Sequence, residues 1–326
     1  MILTTEIILT LQQLKKVIKK DIGTKIILEI AKNDSDINKL EDLAIILNTF
    51  KQNPCIEVKS SDLIRANELA RRIINLCNKD GITIISYFDD SFPEMLRHCI
   101  NEYGEEDPPI LLYCRGNLNI LNKVGIAIIG TRRPTENGIK AGKYFSSKFS
   151  QEGFNIISGL AEGCDTSAHI GTLSTNNGAT TAILANGLDW ESIYPQSNLQ
   201  LAKNIVLNGG LLLSEYEIFQ KCNKYSLIAR DRLQAGLAHA TVVVQSNVKG
   251  GTMHAVHATI KAKKPLFAVK YKNPKDYDNE VCLGNTQLIN TGQAIALSSN
   301  TYVETFQKIK EYFTKEKTGT DNVNKI

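Results

Sequence analysis

The apolar run over residues 124–129 restricts the fold of this chain most, because it stops at Gly130 and is followed at once by Arg132 and Arg133. Six apolar residues before a glycine are typical of a buried parallel strand, and the polar run around Gly138 predicts a helix start just downstream. A glycine turn between strand and helix is a common anion site, since glycine lets the backbone approach the ligand and the helix start offers free N–H groups. The two arginines add paired donors suited to phosphate. On this motif alone, a plain turn with solvated arginines stays open.

Strand and helix patterns alternate from residue 124 onward. Runs typical of strands lie at 124–129, 154–157, 180–185, 211–213, 241–245 and 265–269, and amphipathic segments lie near 137–152, 166–174, 198–208, 229–239 and 252–263. Two further strands are predicted upstream, at 82–86 and at 110–113. Crossovers of this length predict an α/β fold with a doubly wound, mostly parallel sheet that helices cover on both faces. In such a sheet, ligands bind beyond the carboxyl ends of the strands.

The first 80 residues carry helical patterns only. Apolar residues recur at helical spacing in four segments, of which the last runs from Leu63 to Cys77. We expect a small all-helical domain over 1–80, SAM-like or similar, and the α/β core over 81–298. A C-terminal helix and a polar tail are expected over 299–326.

Composition narrows the functional classes. A formal charge of +4 over 326 residues permits a local basic patch without requiring one. The seven cysteines are scattered and form no C-x-x-C pair, which argues for reduced thiols and against a disulfide framework or a zinc ribbon. No stretch approaches about 18 consecutive apolar residues, and the N-terminus lacks a signal-peptide pattern. We expect a cytoplasmic protein with no membrane partner.

Small and cationic residues follow five consecutive strands of the predicted sheet. They are Gly130, Thr131, Arg132 and Arg133 after the first core strand, Ser158, Gly159 and Gly163 after the second, Asn186 and Gly187 after the third, Lys221, Lys224, Arg230 and Arg232 after the fourth, and Lys249, Gly250, Gly251 and Thr252 after the fifth. Any one glycine turn is more often structural than functional, so the specificity lies in their joint order. Because the carboxyl ends of parallel strands share one edge, these groups predict a phosphate-binding site there.

The order of these motifs resembles the DprA/Smf family, the DNA-processing proteins A. The resemblance covers roughly residues 82–270 and rests on GTRRP at 130–134, SGLAEGCDTSAH at 158–169, NGLDWESIYPQSN at 186–198, GGLLLSEY at 209–216, ARDR at 229–232 and KGGTMHA at 249–255. It implies an extended Rossmann fold and a recombination mediator, not an enzyme, with neither cofactor nor metal. Such a protein binds single-stranded DNA in a basic pocket, forms a homodimer and loads the RecA recombinase, in some members during natural transformation. The winged helix that ends many members has no expected counterpart after residue 298.

The resemblance also implies which residues contact DNA or its phosphates. These are Gly130, Thr131, Arg132, Arg133, Ser158, Gly159, Gly163, Lys224, Arg230, Arg232, Gly250, Gly251 and Thr252. A supporting role is implied for Asp165, His169 and Glu215. Arg132 falls on the arginine of the family motif G-[ST]-R, and Arg230 and Arg232 fall on the two arginines of F-P-x-R-N-R. Each phosphate that such cations neutralise steepens the salt dependence by about 0.7 in log–log slope for a single strand.

The chain departs from the family pattern at this pocket. Leu227-Ile228 stand where the family has Phe-Pro, which removes a ring on which a base could stack. Stacking is worth about 1–3 kcal/mol per base, so we expect an affinity about one or two orders of magnitude lower unless Tyr225 or Phe219 substitutes. Asp231 replaces an asparagine, and its carboxylate either orients the flanking arginines as an ion pair or weakens the positive field.

Other chemistries have weaker support. His254 and His257 lack a third metal ligand nearby in the sequence, and Ser158 lacks the G-x-S-x-G elbow of a serine hydrolase. The alternative function is a nucleotide-binding sensor or hydrolase, since residues 249–252 echo the P-G-G-x-G-T loop of the LOG-type phosphoribohydrolases. The catalytic glutamate of that loop has no counterpart here, and we expect DNA binding without catalysis.

Overall fold

A computed structural model describes residues 3–20, 22–32, 40–49 and 57–318. The α-helices in these ranges are Thr5–Ile18 (α1), Thr24–Lys32 (α2), Leu40–Thr49 (α3), Ser60–Lys79 (α4), Glu94–Arg97 (α5), Glu136–Gln151 (α6), Cys164–Leu173 (α7), Leu199–Leu207 (α8), Lys224–Leu237 (α9), Thr252–Lys261 (α10), Pro274–Tyr277 (α11), Leu283–Asn290 (α12) and Tyr302–Thr318 (α13). The strands are Thr83–Ser86 (β1), Leu111–Gly116 (β2), Gly125–Ile129 (β3), Asn155–Ser158 (β4), Ala179–Leu184 (β5), Leu211–Ser214 (β6), Ala240–Val243 (β7), Leu266–Val269 (β8) and Ile295–Leu297 (β9).

The strands of the described chain form one sheet in the order β1-β2-β6-β5-β4-β3-β7-β8-β9. β2 pairs antiparallel with β1 and with β6, and all other neighbours are parallel. From β3 the chain proceeds outward to β6, and α9 then returns it to β7 on the opposite side of β3. The strand order therefore reverses between the carboxyl ends of β3 and β7, which is where doubly wound sheets bind ligands.

Helices cover both faces of this sheet. Ile126 and Ile128 of β3 pack in one apolar cluster with Phe149 of α6, whereas Ile129 packs on the opposite face with Leu233 of α9. Successive side chains of a strand point to opposite faces, so the continuous apolar run suits a strand that is buried on both. The predicted α/β fold with a doubly wound, mostly parallel, extended Rossmann-like sheet is confirmed.

The helices α1 to α4 form the predicted N-terminal helical region and pack on one end of the sheet. Leu11 and Leu14 of α1 belong to the same apolar cluster as Tyr113 of β2 and Leu212 of β6. The apolar stripes of these helices are therefore buried partly against strands. Domain boundaries at residues 80 and 298 stay a proposal, since the first helices share their core with the sheet.

The helix predicted at 229–239 begins earlier, at Lys224, because Asn223 caps it. The Asn223 side chain accepts the N–H of Ser226 at 2.9 Å, and the Ser226 hydroxyl accepts the N–H of Asn223 at 2.8 Å. This capping box places Lys224 at the first helical position. The short elements α5, α11, α12 and β9 are not predicted, because brief segments with few apolar residues carry little periodicity.

None of the helices in the described ranges combines the length and the apolar character required to cross a bilayer. Six cysteines lie in the described ranges, and all are free thiols. Cys55 and the polar tail beyond residue 318 lie outside them.

Candidate functional site

A cleft of about 740 Å³ opens at the carboxyl ends of β3 and β7. The turn after β3, one side of α9 and the loop that enters α10 form its wall. Nine of the thirteen predicted contact residues line it, namely Gly130, Thr131, Arg132, Arg133, Lys224, Arg230, Gly250, Gly251 and Thr252. Ligand sites commonly measure about 300–1,000 Å³, so this cleft is large enough to be one.

Three of the other predicted contacts lie behind the turn after β3. Gly159 lines only a narrow adjacent cavity of about 30 Å³. Ser158 is buried, and its hydroxyl donates to the carbonyl of Ile128 at 2.6 Å. Gly163 precedes α7 with φ of 81°, and a Cβ there would lie 2.6 Å from carbonyl oxygens of the turn after β3. Gly163 therefore allows α7 to begin close against that turn, and it shapes the cleft without facing it.

Arg232 is the fourth predicted contact residue that does not line the cleft. It is held in an ion-pair network. Its Nη1 and Nη2 donate to the two oxygens of Glu215 at 2.6 and 2.7 Å, and its Nε lies 2.7 Å from Oδ2 of Asp107. Burial alone would lower the pKa of Arg232, but these carboxylates raise it above the ordinary value. Through these bonds Arg232, which is buried, connects α9 to the half-buried Glu215 after β6 and to the segment before β2. The contacts of Arg232 and Glu215 are thus with the protein itself.

Arg230 lies in the wall of the cleft and is only 4% exposed. Its Nη1 donates to the carbonyls of Gly159 at 2.7 Å and Ile183 at 2.6 Å, at the ends of β4 and β5. Its Nε donates to Asp231 at 3.1 Å. Within the described residues Nη2 makes no hydrogen bond, which leaves one edge of the guanidinium available to a ligand.

Two carboxyl groups, of Asp231 and Asp165, also stand in this wall. Asp231 accepts from Arg230 and, at 3.0 Å, from Nε2 of Gln234. Asp165 accepts the N–H groups of Gly159 and Ala161 at 3.1 and 3.3 Å. Burial raises the pKa of Asp231, and it raises the pKa of Asp165 to about 6. Both groups therefore take up a proton more readily than exposed carboxylates do as the pH falls.

The loop after β7 presents backbone donors to the cleft. The N–H groups of Met253 and His254 donate back to the carbonyls of Gly250 and Gly251 at 3.0 and 3.2 Å. The N–H groups of Gly251 and Thr252 have no partner within the described residues. Free N–H groups at a helix start bind anions, and Thr252 is the first residue of α10.

The three histidines considered from the sequence have different environments. His169 is fully buried, and burial lowers its pKa to about 3, so the ring is neutral. Since the hydroxyl of Thr180 donates to a backbone carbonyl, Nδ1 of His169 must donate to that hydroxyl, at 2.7 Å. His254 lines the cleft, where its Nδ1 lies 2.6 Å from Oε2 of Glu102. His257 is exposed on the surface of α10.

Gln245 is not among the predicted site residues, yet it fixes the turn after β3. Its backbone carbonyl accepts the N–H of Thr131 at 2.7 Å. Its side chain accepts the N–H of Thr135 and donates to the Thr135 hydroxyl, both at 2.9 Å. A polar residue that ends the apolar run 241–245 at the ligand edge is the sequence signal that could have identified it.

Helix α1 reaches the segment that leads into α9. Lys16 and Gln13 donate to the two carboxylate oxygens of Glu217 at 2.5 and 2.9 Å. Glu217 lies between β6 and Lys224, so the N-terminal region braces the segment that carries this cation.

Comparison with known proteins identifies relatives of the whole α/β part of the chain. The family model of DNA recombination-mediator protein A matches residues 83–307, which include every segment that lines the cleft. A protein Smf of Synechocystis sp. is 35% identical over 216 residues, which are 65% of this chain and 51% of that protein. The DNA processing protein DprA of Bacillus subtilis is 29% identical over 251 residues, 72% of this chain and 81% of that protein. The chain thus spans about half the length of the Synechocystis relative.

Two solved structures have the same fold. The X-ray structure of DprA from Streptococcus pneumoniae aligns with a TM-score of 0.68 at 26% identity, over 94% of this chain and 98% of that one. DprA from Helicobacter pylori aligns with a TM-score of 0.58 at 29% identity, over 70% of this chain and 96% of that one. The second structure describes a single-stranded DNA binding mode of its own protein.

Proposed function

Since this chain belongs to the DNA recombination-mediator protein A family, we propose that it is a DNA-processing recombination mediator whose cleft binds single-stranded DNA. One observation carries the proposal: Arg132 of the turn after β3 and two cations of α9, Lys224 and Arg230, line a single cleft. Cations that converge on a groove follow the phosphates of a strand.

The depth of the cationic groups favours a single strand over a duplex. Arg132 and Lys224 are exposed at the cleft, whereas Arg230 lies within its wall. A flexible single strand can bring one phosphate to the free edge of Arg230 while its neighbours contact the two exposed cations. A duplex carries its phosphates on the outside of a wide, stiff cylinder. Its phosphates can therefore contact the exposed Arg132 and Lys224 but cannot reach Arg230 within the wall.

Direct binding measurements test this proposal. We expect labelled oligo-dT to bind more tightly than a duplex of the same length, with an affinity that falls steeply as salt rises. A preference for the duplex would contradict the proposal. Incubation with nucleoside monophosphates tests the nucleotide-hydrolase alternative, and release of free base would favour it.

We further propose, from the family resemblance, that the protein acts in the cytoplasm as a homodimer and loads RecA onto the strand, as in natural transformation. Sedimentation measures the oligomeric state. Strand exchange by RecA on DNA coated with a single-strand binding protein tests loading, which should quicken when the wild-type chain is added. Equal rates with and without it would contradict the loading role.

A further inference from the structure

A second cavity, of about 500 Å³, lies beside the main cleft. Lys224 and Leu227 line both, so they form the partition between them. The narrow cavity of about 30 Å³ lies against the same partition and is also lined by Arg132 and Arg230. We call the second cavity the side chamber. Lys224 borders both it and the main cleft, while Arg132 and Arg230 border the narrow cavity and the main cleft.

Tyr194 lines both the side chamber and the narrow cavity, and it is 45% exposed. Among the described residues that line the three cavities, it is the one phenylalanine, tyrosine or tryptophan, and the ring of His254 lines the main cleft alone. Tyr225 and Phe219, at 82% and 55% exposure, line none of them. The two aromatic residues considered as replacements for the missing family ring are therefore placed outside the cavities, and Tyr194 stands inside them.

The segment that carries Tyr194 is anchored on both sides. Ile193 is buried in the core, and the Asn198 side chain donates to the carbonyl of Leu160 and the hydroxyl of Thr166, both at 2.8 Å. The phenol itself makes no hydrogen bond within the described residues. A rigid segment thus presents a partly exposed ring, and little conformational entropy is lost when a flat ligand lies on it.

We propose that Tyr194 is the surface on which a base of the bound single strand stacks, with the base in the side chamber and flanking phosphates on Arg132 and Lys224. This inference rests on the proposed DNA binding. An aromatic face between cations is the arrangement by which proteins bind unpaired strands without reading their sequence. Tyr194 would then supply the stacking that Leu227 and Ile228 cannot.

Oligo-dT binding by Tyr194 variants, measured over a range of salt, tests this assignment. We expect Tyr194→Ala and Tyr194→Leu to weaken binding by about 5- to 150-fold, and Tyr194→Phe to bind within about twofold of wild type. The salt slope should stay unchanged, because no charge is removed. Tyr225→Ala is the matched control, since it removes a more exposed tyrosine outside the cavities, and it should bind as wild type does. Tyr194→Leu keeps an apolar side chain at this position, so a loss of DNA affinity in this variant is not explained by misfolding around an empty site.

An abasic oligonucleotide supplies the second arm of the test. It should bind the wild-type chain more weakly than oligo-dT, whereas Tyr194→Ala should bind the two strands alike. Wild-type affinity in Tyr194→Ala and Tyr194→Leu, or an undiminished preference for bases in them, would overturn this inference and leave the DNA proposal standing. Failure of the wild-type chain to bind oligo-dT would overturn both.

Discussion

Nε of Arg230 donates a hydrogen bond to Asp231 at 3.1 Å, and the two side chains stand side by side in the wall of the cleft. The sequence leaves open whether Asp231 orients its neighbouring arginines or weakens their field. Of these two arginines the structure pairs Asp231 with Arg230, because Arg232 is held by Glu215. The carboxylate therefore orients the guanidinium that faces the cleft, and it also places a negative charge near any phosphate bound there.

Asp231→Asn should strengthen binding of oligo-dT at neutral pH by about 2- to 5-fold, roughly 0.5–1 kcal/mol. An amide oxygen still accepts from Arg230, while the opposing charge is removed. Because burial raises the pKa of Asp231, the wild-type affinity should approach that of the variant as the pH falls. Titrations at several pH values measure this, with Glu304→Gln on α13 as the control. Weaker binding by the asparagine variant would contradict the prediction.

Neutral substitutions at Arg132 or Lys224 should each lower the log–log salt slope of oligo-dT binding by about 0.7. Both side chains are exposed, so the melting temperature should change little. Fluorescence anisotropy across salt concentrations measures the slope. Lys308→Ala removes an exposed cation on α13 and should leave the slope as it is. If the Arg132 and Lys224 variants had the same salt slope as Lys308→Ala, the cleft would not be the DNA-binding site.

Arg232→Ala should destabilise the fold by about 2–4 kcal/mol, because it removes a buried guanidinium and leaves the half-buried Glu215 without its partner. Urea unfolding measures the loss. Arg232→Lys retains the positive charge and should cost less while leaving the salt slope of DNA binding at the wild-type value. A lower slope in the folded lysine variant would show that Arg232 contacts DNA after all.

Gly251→Ala should weaken DNA binding without destabilising the fold, whereas Gly163→Ala should destabilise the fold. A Cβ at Gly251 meets nothing within 4 Å, so stability should stay within about 0.5 kcal/mol while the methyl group hinders a phosphate that approaches the backbone. At Gly163 the left-handed conformation and the nearby carbonyls should cost about 1–3 kcal/mol or more. Thermal melting and oligo-dT affinity distinguish the two. Unaltered affinity in Gly251→Ala would argue against a phosphate at the start of α10.

His169 should make the chain less stable in acid. Burial lowers its pKa to about 3, so the unfolded chain takes up a proton near the ordinary value of about 6.5 while the native chain does not. The stability that neutral His169 contributes is present above about pH 6.5 and is lost as the pH falls toward 3, at about 1.4 kcal/mol per pH unit. Between pH 6.5 and 4.5 wild type should lose about 2–3 kcal/mol relative to His169→Gln.

Denaturant unfolding of both proteins at each pH checks the His169 prediction. The pKa of Asp165 is raised to about 6, so protonation of Asp165 stabilises the fold as the pH falls. Both proteins contain Asp165, so its contribution cancels when their stabilities are subtracted. Parallel pH profiles for the two proteins would contradict a neutral, buried His169.

Local sequence patterns were sufficient for eight of the nine strands in the described sheet, and β9 was not predicted. A strand that is buried on both faces requires a continuous apolar run, and the run over 124–129 became β3 with its two faces in two different clusters. The alternation of runs and amphipathic segments therefore specified the parallel sheet. It also placed Gly130, Arg132 and Thr252 at the carboxyl edge, because each lies between the end of a strand and the end of the first turn of the next helix. Gln245 escaped this reasoning, since its role depends on Thr135, 110 residues away.

By itself, the sequence determined the strands β1 to β8, the ligand edge of the sheet and the cationic residues near that edge. Only the tertiary structure decided what each cation does, and Arg230 and Arg232 show why. The two have the same chemistry and belong to one motif, but a helix turns by about 100° per residue, so side chains two positions apart leave α9 in different directions. One direction leads to the carbonyls after β4 and the cleft, and the other leads to Glu215 and Asp107. Those groups come from distant segments, and packing alone brings them to α9.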